Sequence, residues 1–269
     1  MTTETGNEEV WRAVFGEGHP KLKQFQRFHS RLPSPPRCRM CFAPFAGAGG
    51  VYMRFRGKGP SRHNPHYCNA CDAFITSFPG GAEVELSILF VDVRNSVGIA
   101  ERLGPTAYSR VMRNFYVAAT RPVIDTDGFI IDFMGDAVAG IYPPGFCGPE
   151  HARKAIQAAE RLVRGAMPFY PDGSELPIGV GVHTGAVFIG SVAGAEGGHH
   201  DVQPLGDSVN VAARLSSLAA PGEALISDAT FAAAGLANAG AQTRQLDLKG
   251  RTAPIVVRAI RRDSPSLNL

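Results

Sequence analysis

No stretch of this sequence is apolar over the ~20 residues that a membrane-spanning helix needs. It also lacks any dense run of Lys or Arg and any internal repeat. The first absence argues against a helix crossing a bilayer, the second against a nucleic-acid-binding arm, and the third against a solenoid or propeller. The N-terminus is polar and acidic, where a secretory leader would be basic and then apolar. A formal charge of +3 over 269 residues, with 44% apolar residues, is ordinary for a soluble protein. These features lead us to expect a cytoplasmic protein with neither a membrane nor a nucleic acid among its partners. The length suits one large domain and one small one.

Cysteine is scarce, with five in all, but four of them fall in two Cys-x-x-Cys pairs, Cys38/Cys41 and Cys68/Cys71. Two such knuckles complete a tetrahedral thiolate site, so structural zinc is expected, stapling a segment too small to bury its own core. Four unrelated thiols, or an iron or redox site, are the alternatives. The gap between the pairs is longer than in a usual zinc ribbon and holds His63 and His66. Arg54, Arg56, Lys58 and Arg62 lie in the same gap and read as a solvated basic face, with a partner or nucleotide contact as the alternative. Cys147 stands apart as an ordinary thiol. Upstream, residues 11–28 read as one helix with Trp11, Val14 and Phe15 on a face, stopped by Pro33, Pro35 and Pro36. Pro79, Gly80 and Gly81 read as a linker.

Past that point, strands and helices interleave. Residues 88–91 form an apolar run that Asp92 closes, and Arg94, Asn95, Ser96 and Gly98 precede a helical segment. A carboxylate there, followed by amides at a helix start, makes a place for a cation and for phosphates, although many such aspartates are only turn formers. Residues 129–142 read as a hairpin turning at Gly135-Asp136, which puts a second carboxylate at a strand end. In residues 205–215, read as a helix, Asn210 and Arg214 are four apart and share a face. Two carboxylates for metals, with an amide and a guanidinium for phosphate, are the parts of a phosphoryl-transfer site. Further helices are expected over 105–120, with Tyr108, Val111, Met112 and Phe115 inward, and over 150–167. Strands are expected at 176–183 and 186–192, flanking Thr184-Gly185, and at 224–227, 243–248 and 254–260. The pattern predicts an α/β sandwich with a mostly antiparallel sheet.

Phe90-x-Asp92, Gly135-Asp136, the run from Gly179 to Gly185 and residues 205–215 together resemble the class III nucleotide cyclases, the adenylate and guanylate cyclase family. The resemblance runs from about Glu83 to about Ile260. It implies a ferredoxin-like core, a catalytic domain over 81–262 after an N-terminal segment of 1–80, and a tail of 263–269. It further implies that Asp92 and Asp136, with the Val93 carbonyl, hold two Mg²⁺ or Mn²⁺ ions. By the same resemblance Asn210 orients the ribose, Arg214 stabilises charge on the α-phosphate, and Asn95, Ser96, Lys249 and Arg251 are phosphate contacts. The implied active unit is a head-to-tail homodimer that takes a nucleoside triphosphate and makes a cyclic nucleotide.

The chain departs from the family where the base is read. Three residues before Gly135, adenylate cyclases carry a lysine, and here Asp132 stands. Three before Gly206, the usual Asp or Thr is replaced by Gln203. An ionised carboxylate only accepts hydrogen bonds, so it suits guanine, uracil or cytosine better than the adenine N1 acceptor. UTP or CTP is therefore the lead substrate, as in the bacterial pyrimidine cyclases of anti-phage signalling, with GTP or ATP as alternatives. A catalytically dead cyclase fold with a regulatory role is a further alternative. Asn95 and Val97 also replace the usual Gly and Thr.

Overall fold

The computed structural model describes residues 7–33, 35–165, 174–193, 200–236, 242–251 and 253–267. The elements in chain order are α1 (Glu8–Trp11), α2 (Pro20–Ser30), α3 (Gly47–Phe55), α4 (Asn69–Ser77), β1 (Gly81–Val93), α5 (Ser96–Asp125), β2 (Phe129–Met134) and β3 (Ala137–Tyr142). They continue with α6 (Pro144–Cys147), α7 (His151–Arg164), β4 (Ile178–Ala193), β5 (His200–Leu205), α8 (Asp207–Leu218), β6 (Glu223–Ser227), α9 (Asp228–Ala233), β7 (Gln242–Leu246) and β8 (Ile255–Arg261). Among the described residues no helix is long and apolar enough to cross a membrane.

The strands form one sheet in the order β2-β3-β1-β4-β6-β8-β7, with β5 paired to β4. The β1-α5-β2-β3-α7-β4 succession gives the ferredoxin-like order, in which the first and third strands are central. The β1–β3, β2–β3, β4–β5, β6–β8 and β7–β8 pairings are antiparallel, and β4–β6 is parallel. The expected mostly antiparallel sandwich is therefore present.

Contacts divide the chain into two compact units. One comprises Met1–Val84, Pro144–Gly148 and Phe188–Leu205. Its core is aromatic: Trp11 stacks on Phe15 at 5.3 Å, Phe15 meets Phe146 at 5.1 Å, and Trp11 Nε1 donates to the Phe78 carbonyl at 2.9 Å. The single helix expected over 11–28 is in fact two. A π-helical turn, Arg12–Glu17, follows α1. Gly18 then takes φ +88° and Pro20 starts α2, a left-handed break followed by a residue suited to a first turn. Gly80 and Gly81 are no free linker. Gly81 opens β1, and the Gly80 carbonyl accepts from the Ser191 amide at 2.8 Å.

The other unit comprises Glu85–Pro143, Pro149–Val187 and Gly206–Leu269. Val111, Met112 and Phe115 of α5 are buried as expected, while Tyr108 is half-buried. The helix breaks at Gly104 and runs on to Asp125. Helix α7 ends at Arg164, so the expectation of helix to Met167 lies partly outside the described residues. The two strands expected around Thr184-Gly185 are one continuous β4. Gly185 makes no turn; a Cβ there would come within 2.6 Å of Ser208 Oγ, so the glycine admits the start of α8. Gly181 does the same about two turns further along α8, where a Cβ would lie 2.2 Å from the Ser216 amide. Helix α8 thereby seats on β4, and its Val211 and Leu215 close a core with Leu225, Leu248 and Val257. Leu205, expected at the helix start, belongs to β5.

Candidate active site and thiolate centre

The β1–β3 ladder places the two sequence-selected carboxylates together. Asp92 faces Ala137 across the strands, and the Val93 amide donates to the Asp136 carbonyl at 3.0 Å. Both aspartates are half-buried. Burial raises the Asp92 pKa above the usual carboxylate range, Arg94 works against that rise, and the Asp136 charge adds to it. Three residues order the pair. Arg94 Nη2 contacts Asp92 Oδ1, Ser96 Oγ donates to Asp136 Oδ2, and the Tyr116 hydroxyl donates to the Gly135 carbonyl. Arg94 Nη1 also reaches the Ser217 carbonyl at 2.7 Å, while its Nε is buried without a hydrogen-bond partner among the described residues. Two hard carboxylates whose charge is under-compensated fit a divalent cation with oxygen preference. Sequence reasoning missed Arg94 and Tyr116 as site residues: Tyr116 meets Gly135 only through the fold, and Arg94 is anchored beside Asp92 by the distant Ser217 carbonyl. Asn95 replaces the family glycine yet holds φ +54°, a left-handed conformation that Asn tolerates. Val97 is exposed in the first turn of α5.

On α8, Asn210 is exposed and Arg214 half-buried, sharing a face as the four-residue spacing requires and turned about 100° from buried Val211 and Leu215. Arg214 Nη1 donates to the Lys249 carbonyl, which brings the guanidinium to the 248–251 turn. Arg251 pairs with Asp207 in the first turn of α8, and Lys249 is exposed. His183 hydrogen-bonds Ser227 Oγ at 2.8 Å. Its pKa is pulled down to about 4 by burial, with the Arg251 charge adding to the effect, so it is neutral at pH 7. Asp132 is exposed at a register shift between β2 and β3, with Oδ1 accepting from the Phe133 amide at 2.7 Å. Gln203 is half-buried on β5, opposite Gly190 of β4, in the other unit.

Cys38, Cys41, Cys68 and Cys71 converge, with all four sulfurs buried and within 4.8 Å of one another. The first pair lies in a knuckle, where the Cys38 amide donates to Ala43 and the Phe42 amide to Cys38. The second pair begins α4. Cys41 Sγ and Cys68 Sγ are 3.6 Å apart, close to the ~3.8 Å that sulfurs at tetrahedral Zn–S distances would span. Hydrogen bonds from Cys38, Cys41 and Cys71 hold the Cys68 thiol well below the usual thiol range. His63 lies outside the cluster, with its ring 3.4 Å from Asp72. Next to it, Tyr67 donates to Asp201 of β5 at 2.7 Å, and Arg39 lies 3.8 Å from the same carboxylate.

A family model described as the adenylate and guanylate cyclase catalytic domain matches residues 82–257. An adenylate cyclase of Anabaena cylindrica is 27% identical over 137 residues, 49% of this chain and 27% of the relative. A uridylate cyclase of Rhodovulum sp. (strain MB263) is 27% identical over 156 residues, 54% of this chain and 62% of the relative. The chain thus spans less than two thirds of either protein's length. Among solved structures, the guanylate cyclase domain of RhGC from Catenaria anguillulae in complex with GTP matches with TM-score 0.58 at 22% identity, over 67% of this chain and 99% of that one. The sandwich is therefore of the nucleotide-cyclase class. By its sequence match the chain belongs to the adenylate and guanylate cyclase catalytic domain family.

Proposed function

We propose that this protein cyclises a nucleoside triphosphate to a 3′,5′-cyclic nucleotide and pyrophosphate, with UTP or CTP as its substrate. The observation that carries the cyclase reading is the meeting of Asp92 and Asp136 at neighbouring strand ends. Bound there, with help from the Val93 carbonyl, two Mg²⁺ or Mn²⁺ ions would make the ribose 3′-hydroxyl acidic and neutralise the triphosphate. The 3′-oxygen attacks the α-phosphorus, the bond to the β-phosphate oxygen breaks, and the hydroxyl proton leaves to solvent. Asn210 holds the ribose. Arg214, already extended toward the 248–251 turn, meets charge on the α-phosphate, a task suited to a planar guanidinium. Asn95, Ser96, Lys249 and Arg251 contact the remaining phosphates. In this reading residues 81–262 are the catalytic domain, and two copies pair head to tail so that the Asp and Asn/Arg halves of each site come from different chains.

The pyrimidine assignment rests on Asp132 and Gln203 and is supported by the likeness to a uridylate cyclase. A pyrimidine product would suit a role in anti-phage signalling. The test is incubation of the purified protein with each of the four ribonucleoside triphosphates and Mn²⁺, followed by product identification by mass spectrometry. Cyclic UMP or cyclic CMP is expected. Cyclic GMP or AMP as main product removes the base assignment, and no product from any triphosphate leaves a regulatory cyclase fold.

The four cysteines hold structural zinc in this reading, because four buried, converging thiols favour a tetrahedral soft-ligand metal over a free-thiol state. Elemental analysis should find about one zinc per chain, lost in the Cys38→Ser/Cys41→Ser variant. Metal-free protein with four freely titratable thiols would exclude the site.

A further inference from the structure

The N-terminal unit carries an unusual surface that the cyclase reading leaves unused. From Gly18 to Cys71 the chain has ten Lys or Arg and no Asp or Glu. That segment is +10 in a chain of formal charge +3, so the rest sums to −7. Helices α2 and α3 present apolar side chains on this same segment. Phe55 is 90% exposed, Val51 59%, Phe28 47%, Phe25 45% and Tyr52 40%. Phe28 and Tyr52 touch at 6.4 Å between ring centroids, so the strips on the two helices are continuous. Lys21, Arg27, Arg31, Arg54 and Arg56, all exposed, lie among them on the same two helices and the residues that follow, and among the described residues none is in an ion pair. Large exposed apolar groups rimmed by one sign of charge mark a docking surface.

We propose that this face docks on an anionic phospholipid surface. Charge selects among occupants. A second copy paired through this same face would bring the +10 segment against itself, and like charges oppose that pairing. An acidic surface is complementary. Between lipid and nucleic acid, the make-up of the strip favours lipid. Nucleic-acid bases stack on free aromatic faces. Here the faces of Phe25 are engaged, by the Lys58 ammonium at 4.2 Å and by the parallel His29 ring at 5.8 Å. Val51 offers no stacking face at all. What the strip presents is hydrocarbon bulk next to cations, the combination that seats a peripheral protein among headgroups. The basic patch of Arg54, Arg56 and Lys58, for which the sequence left a partner contact as the alternative to a solvated face, takes a peripheral lipid contact in this proposal.

The test is co-sedimentation of the full chain with vesicles of phosphatidylcholine alone or mixed with phosphatidylserine, beside anisotropy with single-stranded and duplex oligonucleotides. Sedimentation is expected only with the phosphatidylserine vesicles, weakening as salt rises. Phe55→Ser and the double change Arg54→Glu/Arg56→Glu should each weaken it about tenfold or more, with metal content unchanged. These side chains are solvent-exposed, so the variants should fold. Absence of vesicle binding overturns the proposal. So does equal binding to both vesicle types, tighter binding to an oligonucleotide, or a self-association that Phe55→Ser abolishes.

Discussion

Asp136→Asn should abolish cyclisation while leaving the fold intact. The Asp92/Asp136 pair is two half-buried carboxylates, with Asp92 raised by burial and further by the Asp136 charge. Replacing one with a neutral amide removes half of the negative charge available to hold two divalent ions. Metal stabilisation of a phosphoryl-transfer transition state is worth several kcal/mol, so kcat should fall by about a thousandfold or more. The hairpin should survive, because it is the backbone carbonyl of residue 136 that accepts the Val93 amide. The Gly135 carbonyl likewise keeps its bond from Tyr116. Turnover with Mn²⁺, a thermal melt and the solution mass together check this. Near-normal turnover in a folded variant would remove the two-metal assignment, and an unfolded variant would show instead that the carboxylate is needed for structure.

The parts of this site that could be read from sequence are those set by local rules. Asp92 and Asp136 follow from a strand and a tight turn, and Asn210 and Arg214 share a face because helical residues four apart always do. What could not be read depends on chain segments far apart. Tyr116 looks like a surface residue until the fold brings it to Gly135, and Arg94, two residues from Asp92, is held there by Ser217, 123 residues on. Thr184-Gly185 looks like a strand break, because the reason for the glycine is Ser208 on a later helix. Tyr67 and Asp201, 134 residues apart, tie the cysteine segment to β5, the strand that carries Gln203. No periodicity in either stretch announces that link. The π-helical turn after α1 is equally silent, since its buried Val14 and Phe15, with Trp11 just before it, satisfy an ordinary helical spacing.

Asp132→Lys should move the enzyme from a pyrimidine triphosphate toward ATP. Asp132 lies where the β2–β3 register shifts, and bulges of this kind re-aim side chains beside active sites. One carboxylate oxygen accepts from the Phe133 amide, which holds the side chain in place and leaves the second oxygen as an acceptor. An acceptor there favours a base that presents an N–H, as uracil and cytosine do, and leaves the adenine N1 without a donor. Gln203 both donates and accepts, so it can complete a carbonyl or amine edge, and its length fills space that a smaller base leaves. A site built to hydrogen-bond a particular edge penalises the wrong one by several kcal/mol, on the order of a thousandfold in rate. Lysine removes the acceptor and supplies a donor, so kcat/KM for UTP or CTP should fall by about that factor while relative use of ATP rises. Because Asp132 is exposed, the change should not unfold the domain. Side-by-side kinetics of both proteins with all four triphosphates measure the effect. Wild-type preference for ATP, or a variant whose base preference is unaltered, would mean that Asp132 does not read the base.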